Sequence, residues 1–232
     1  RDKIIGILNG LDTNLWDPSS DSALPVRYTG KTMHEAKITI KSALRKAVRL
    51  PESDVPVFGF VGRLEGRQKG LDLIAKAIGK LDNSSYQLVI LGTGQKKLVT
   101  EFTRLAEHHK NIAFIHTFDE RLARRIYAGS DFMLVPSKFE PCGLTQLIAM
   151  RYGTIPIVRR TGGLADTVAD GETGFVFRPY TTSALVAAMQ RAIEVYTESP
   201  DSVRSMQRRV LKQDFSWKRQ ASEYISLYKE LL

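Results

Sequence analysis

From residue 57 onward, short apolar runs alternate with longer stretches whose apolar residues recur at helical spacing. The runs 57–61, 87–91, 112–115, 132–135, 155–158 and 174–177 are rich in Val, Ile and Phe. Most lack polar alternation, which is how strands covered on both faces of a parallel sheet read. Between them, Leu71, Ile74, Ile78 and Leu81 fall on one helical face, as do Leu122 and Ile126 with Tyr127, and Leu144, Leu147 and Ile148 ahead of Tyr152. Repeated strand–helix alternation predicts a doubly wound α/β domain, Rossmann-like, and the right-handed crossover rule makes its strands parallel. The end of the chain reads as helices over 184–195, 201–211 and 216–232, the last with Trp217, Ala221, Tyr224, Tyr228 and Leu231 on one stripe. Residues 12–28 are turn-rich and weakly periodic, an irregular connection, and residues 32–48 read as a basic helix.

Composition narrows the function classes. The chain has 232 residues and is 43% hydrophobic and 25% charged, enough for a sizeable core and unlike a disordered chain. No apolar run approaches the roughly 18–20 residues of a membrane span. A single cysteine, Cys142, excludes an intramolecular disulfide and fits a reducing compartment, and with four histidines it leaves little material for a metal site. The net charge of +9 points to anionic partners: a phosphate-bearing ligand, nucleic acid or an acidic surface. The sequence opens on Arg1-Asp2-Lys3 with no secretory or transit-like segment, and reads as a piece of something longer.

In an open parallel sheet, ligands bind beyond the carboxyl ends of the strands. Here those ends carry Gly62-Arg63-Leu64-Glu65-Gly66-Arg67-Gln68-Lys69-Gly70, Gly92-Thr93-Gly94, His116-Thr117-Phe118, Pro136-Ser137-Lys138-Phe139-Glu140-Pro141-Cys142-Gly143 and Arg159-Arg160-Thr161-Gly162-Gly163. Glycine lets backbone N–H groups approach phosphate oxygens, and a helix start favours an anion. Singly, each feature has a plainer explanation. A GxG after a strand is usually a tight turn, loop Lys and Arg are usually solvated, Glu140 suits a helix dipole, and Phe118 suits a core. Their coincidence on one edge favours a phosphate-bearing ligand. The basic tail helices lack the interleaved aromatics of a strand-stacking nucleic-acid surface, so a nucleic-acid partner rests on charge alone.

Taken together, these residues resemble the C-terminal half of bacterial glycogen synthases and plant starch synthases. The resemblance runs through Ile7-Leu8-Asn9-Gly10-Leu11-Asp12, Trp16-Asp17-Pro18, Gly62-Arg63-Leu64 and Gln68-Lys69-Gly70. It is most specific in FEPCGLTQLIAMRYGT (residues 139–154) and in Thr161-Gly162-Gly163-Leu164-Ala165-Asp166-Thr167-Val168. It implies the C-terminal half of a GT-B fold: a hinge and connection over 1–30, a donor-binding Rossmann-like domain over 31–215, and a tail helix over 216–232 that packs back toward an N-terminal domain outside this sequence. It implies a retaining hexosyltransferase that moves glucose from ADP-glucose or UDP-glucose to the non-reducing end of an α-1,4-glucan. No metal or other cofactor, nucleic acid or membrane is implied. The setting is the bacterial cytoplasm or the plastid stroma, with the starch granule as a variant.

Carried over by residue, the resemblance makes Arg63 and Lys69 the diphosphate cations and Glu140 the acid at the transferred glucose. The backbone N–H groups of Cys142, Gly143 and Leu144 hold sugar hydroxyls, and Thr161, Gly162 and Gly163 receive phosphate. Phe118 stacks on the base, and Asn9 reaches the cleft from the hinge. The chain departs from the family in two places: Arg63 and Lys69 are six positions apart where many members have five, so Arg67 stands as an alternative cation, and Phe118 replaces a frequent Tyr. Ile148 stands where broader retaining enzymes carry a second Glu, an acid that glycogen and starch synthases commonly lack, so it supports the narrower family. A nucleotide-sugar-binding homologue without turnover is the competing reading.

Overall fold

The computed structural model describes residues 4–231. Arg1, Asp2 and Lys3 of the opening stretch, and Leu232 at the end of the expected tail helix, lie outside the described residues. The strands are β1 (Val57–Val61), β2 (Gln87–Leu91), β3 (Ile112–Ile115), β4 (Phe132–Val135), β5 (Ile155–Arg159) and β6 (Phe175–Phe177). The helices are α1 (Met33–Val48), α2 (Leu71–Ile78), α3 (Lys96–His108), α4 (Glu120–Gly129), α5 (Thr145–Arg151), α6 (Gly162–Thr167), α7 (Thr182–Glu198), α8 (Pro200–Leu211) and α9 (Trp217–Leu231). The strands form one sheet in the order β3-β2-β1-β4-β5-β6, and every neighbouring pair is parallel. This is the doubly wound arrangement that the apolar runs predict. No helix among the described residues is long and apolar enough to cross a membrane.

The apolar runs are continuous because each strand packs on both faces. Phe58, Phe60, Leu88, Ile90, Phe132 and Leu134 join Ile74 of α2 and Leu185 and Met189 of α7 on one side. Val57, Val89, Leu91, Met133 and Val135 meet Ile40 and Leu44 of α1, Ile126 of α4 and Leu147 of α5 on the other. Helix α3 falls between two strand runs where no helix was expected. It fully buries Leu98 and Phe102, with Val99, Leu105 and Ala106 partly buried against the same core, and carries Lys96, Lys97, Glu101, Arg104 and Glu107 between them.

Residues 12–28 carry no helix or strand, yet they are clamped to the domain. The Arg124 guanidinium lies 4.4 Å from the Trp16 ring centroid and donates to the carbonyl of Leu15 at 2.7 Å. Arg151 Nε donates to the Trp16 carbonyl at 3.0 Å, and the Tyr28 hydroxyl donates to the Tyr152 carbonyl at 2.8 Å. The segments before the connection and before α9 also meet: Leu11 N–H donates to the Phe215 carbonyl at 2.7 Å, and Gly10 packs against Trp217. On α9 the apolar stripe faces outward, with Trp217, Tyr228 and Leu231 at 49%, 59% and 74% exposure.

A buried lysine ties the opposite edge together. Lys37 Nζ donates to the carbonyls of Ala128 (2.8 Å) and Ser130 (3.0 Å) and to Thr154 Oγ1 (2.9 Å). Burial pushes its pKa down to about 7 from the ordinary 10.5. Between those values the unfolded chain holds a proton that the folded chain lacks, so this group makes stability rise with pH across that window. Lys37→Met, which removes the donor shared by the Ala128 and Ser130 carbonyls and Thr154 Oγ1, is expected to cost about 1–3 kcal/mol at neutral pH. The deficit should widen by pH 10, read from urea denaturation at the two pH values.

Candidate functional site

Sheet order reverses between β1 and β4, the first strand of each half, and this is where a crevice opens in such a fold. The two strands are in register only at Phe58–Phe132 and Gly59–Met133, whereas β1 follows β2 as far as Val61–Leu91 and β4 follows β5 as far as Val135–Val158. Their carboxyl ends therefore part, and the loops that leave them, 62–70 and 136–144, face each other across the gap.

Backbone contacts join the two loops. Lys138 N–H donates to the Gln68 carbonyl at 2.7 Å. Gly70, at φ +72, lies so close to the Pro136 carbonyl that a Cβ there would collide with it. Lys69, between those two contacts, has its ammonium 2.7 Å from Glu140 Oε2, the same oxygen that accepts from Ser137 Oγ at 3.0 Å. The six-residue step from Arg63 thus leaves Lys69 facing the acid, while Arg67 and Arg63 are exposed on the rim. Glu140 itself is 8% exposed. It lies in the loop, five residues before α5 begins at Thr145, so it is not the helix-start acid that its position after a strand suggested.

The stretch after Glu140 is held from below. Gln146 Nε2 donates to the carbonyls of Cys142 (3.2 Å) and Gly143 (2.9 Å), and Gly163 N–H donates to those of Glu140 (3.1 Å) and Pro141 (3.2 Å). Among the described residues, the N–H groups of Cys142, Gly143 and Leu144 donate to no other group of the protein. Thr161 and Gly162 sit at the start of α6 beside this loop, with Gly162 at φ +44 against the Glu140 carbonyl. Gly163 therefore spends its N–H on the loop. A Cβ on Gly163 would meet the Cys142 carbonyl and lie 2.7 Å from its Cα. Gly163→Ala is expected to cost about 1–3 kcal/mol by overpacking, read as a lower melting temperature. Asn9, exposed, donates its backbone N–H to Cys142 Sγ at 3.3 Å.

At the same sheet edge, and sharing Gly62 and Arg63 of the 62–70 loop, a 370 Å³ cavity is lined by Trp16, Val61, Arg63, Phe118, Tyr127 and Ile148 among others. Its walls are mostly apolar, with Arg63 at the mouth and the Phe118 ring, 87% exposed, standing over it. Ile148 presents alkyl surface where a carboxylate would be costly. Burial pushes the Tyr127 hydroxyl up to about 12, so the ring is a neutral wall. The volume suits a small ligand with a flat apolar part.

Arg63, Lys69, Phe118, Glu140, Cys142, Gly143, Leu144, Thr161, Gly162, Gly163 and Asn9 thus lie on one edge, around the two loops and the cavity. Sequence reasoning did not single out Ser137, Gln146 or the wall formed by Trp16. The readable signal was slight: a serine between strand end and acid, and a tryptophan inside a turn-rich segment.

Residues 42–209 match the family described as glycosyl transferases group 1. The chain is 46% identical over 233 residues to a glycogen synthase of Anaeromyxobacter sp. (strain Fw109-5), covering 97% of this chain and 48% of that protein. It is 47% identical over 227 residues to granule-bound starch synthase 1, chloroplastic/amyloplastic, of Arabidopsis thaliana, covering 93% of this chain and 37% of the relative. Among solved structures it resembles the catalytic domain of starch synthase IV from Arabidopsis thaliana bound to ADP and acarbose. That likeness has a TM-score of 0.91 and 38% identity, over 99% of this chain and 49% of the other. The chain spans about half the length, 48%, of the glycogen synthases it matches.

Proposed function

This chain belongs to the glycosyl transferases of group 1, similar throughout to glycogen and starch synthases, and on that premise we propose that it is the donor-binding half of a retaining glucan synthase. The donor is a nucleotide-glucose, ADP-glucose first, and the acceptor is the non-reducing end of an α-1,4-glucan. The observation that carries this reading is the Lys69–Glu140 pair, 2.7 Å apart, formed by two loops at the point where sheet order reverses, the first of which also lines an apolar cavity through Gly62 and Arg63.

In this reading the base enters the cavity under Phe118, and the diphosphate lies toward Lys69, Arg63, Thr161 and Gly162. The glucose rests on the free N–H groups of Cys142, Gly143 and Leu144, with Asn9 near the hinge. Transfer breaks the bond from the anomeric carbon to the diphosphate oxygen and forms one to the acceptor hydroxyl, whose proton leaves with the diphosphate. Negative charge grows on the leaving group, where fixed cations lower the barrier. Positive charge grows on the flattening sugar, where a carboxylate does the same. Lys69 and Arg63 supply the cations, and the reading calls for no metal or cofactor.

The ADP in the starch synthase IV neighbour supports an adenine donor, and its acarbose supports a glucan acceptor. The outward apolar stripe of α9 suits packing against the half that the longer relatives have in addition, which in this reading is an N-terminal domain. A relative named chloroplastic/amyloplastic and the bacterial glycogen synthases support a plastid or a bacterial cytoplasm as the compartment.

Calorimetric titration of residues 1–232 with ADP and with UDP tests the donor. Weak binding of ADP in preference to UDP is the expected result, because one wall of a two-walled cleft is present. The same sample should not elongate a glucan primer from ADP-glucose, whereas the full-length enzyme should. Elongation by this half alone would sink the idea that two halves are needed. Binding without turnover by the full-length protein would favour the non-catalytic homologue.

A further inference from the structure

Resting on the donor-site reading, we infer that Ser137 is a positioning residue: it holds the Glu140 carboxylate in place when Lys69 turns to the diphosphate. Lys69 cannot be a permanent partner of Glu140. Its ammonium sits on a flexible four-carbon stem, 21% exposed, and a diphosphate arriving at the same edge competes for it. The Glu140 side chain is only 10% exposed, so a carboxylate that lost its donors would bear a desolvation penalty and swing away. Ser137 Oγ, 3.0 Å from the same oxygen, is the donor that stays.

Ser137 stays because it has nowhere to go. It is 1% exposed, two residues beyond the end of β4. Its own carbonyl accepts from Arg159 Nε at 2.9 Å, and Arg159 Nη2 donates to the neighbouring Lys138 carbonyl. Arg159 is rooted at the end of β5, with its guanidinium 5.8 Å from the Tyr180 ring centroid, and the Tyr180 hydroxyl donates to Asp72 Oδ1 at 2.5 Å. Two adjacent strands thus pin the backbone from which the serine hydroxyl reaches the acid. The cation that shares Glu140 comes from a different loop and is free to be drawn away.

The test uses the full-length enzyme with Ser137→Ala, and Ser137→Cys, whose thiol fills similar space but donates weakly. Each is made in the wild-type and in the Glu140→Gln background. Ser137→Ala is expected to lower kcat by about ten- to a hundredfold, the range for losing a hydrogen bond to a charged group. KM for the donor should stay within about threefold, because the phosphate contacts are untouched. Ser137→Cys should fall between, and it carries the test if the alanine variant does not fold. In the Glu140→Gln background the serine substitutions should add less than about twofold, since they act through that carboxylate.

Wild-type kcat in both serine variants overturns the inference. So does an equal loss in both backgrounds, which marks a general effect on folding. Wild-type kcat in Glu140→Gln alone overturns the donor-site reading itself and this inference with it, so the two failures are told apart by which substitution is silent.

Discussion

Glu140→Gln in the full-length enzyme lowers turnover by about 10²–10³-fold, the range for removing one preorganised charge or dipole from a transition state, while ADP affinity changes by less than about threefold. The position of the carboxylate sets the expected effect. It stands in a loop, not in the first turn of α5, and its Oε2 is engaged by Lys69 and Ser137. Glutamine keeps the shape and one acceptor oxygen, so both contacts survive in part and the melting temperature moves little. The negative charge is lost, and charge is what a sugar acquiring positive character needs beside it. An acid kept only for its fit to a helix dipole gives the opposite pattern, an intact rate and a lower melting temperature. Steady-state kinetics and a thermal melt on one sample separate the two, and an unaltered rate removes Glu140 from the chemistry.

Lys69→Ala lowers kcat/KM by about ten- to a hundred-and-fifty-fold, the equivalent of about 1.5–3 kcal/mol for a charge-assisted contact, and also lowers the melting temperature. The second effect follows from the ion pair: removing the ammonium leaves the mostly buried Glu140 with Ser137 as its remaining donor. Arg63→Ala costs a similar factor in kcat/KM with an unchanged melting temperature, because the Arg63 side chain is exposed at the cavity mouth. The two cations are thus expected to look alike in kinetics and unlike in stability. A Lys69→Ala enzyme with wild-type kinetics shows that the six-residue step has moved the lysine out of reach of the diphosphate, and Arg67 becomes the cation to test.

Strand positions were legible in the chain because burial on both faces writes a short run of Val, Ile and Phe, although the similar run Ile4-Ile5-Gly6-Ile7-Leu8 forms no strand. Thus β1, β2, β3 and β4 start and stop where those runs do. The edges blur where burial ends: β5 gains Arg159, whose side chain leaves the core for the loop, and β6 begins at Phe175 after a glycine pressed against β5. Helix α3 was not among the expected elements, although Leu98, Val99, Phe102, Leu105 and Ala106 recur at helical spacing and pack on the core; only Leu98 and Phe102 are fully buried. The tail stripe of Trp217, Tyr224 and Tyr228 was legible as a helix, but periodicity cannot say whether an apolar face is covered, and here it is exposed.

The loops that carry the site were readable as well, because a parallel sheet puts every β-to-α loop on one edge. Which loops meet was not. Lys69 and Glu140 are separated by 71 positions and by three intervening strand–helix units, and no local spacing brings them together. Their contact exists because β1 and β4 are neighbours in the sheet, a fact of topology. The roles of Ser137, Arg159 and Trp16 belong to the same class. A serine at a strand end, an arginine at another and a tryptophan in a turn-rich segment are ordinary in sequence, and become specific only when packing fixes what each touches. Residue type and period determined the layers and the edge where chemistry collects. The order of strands, set by the packing of both faces at once, decided which side chains share it.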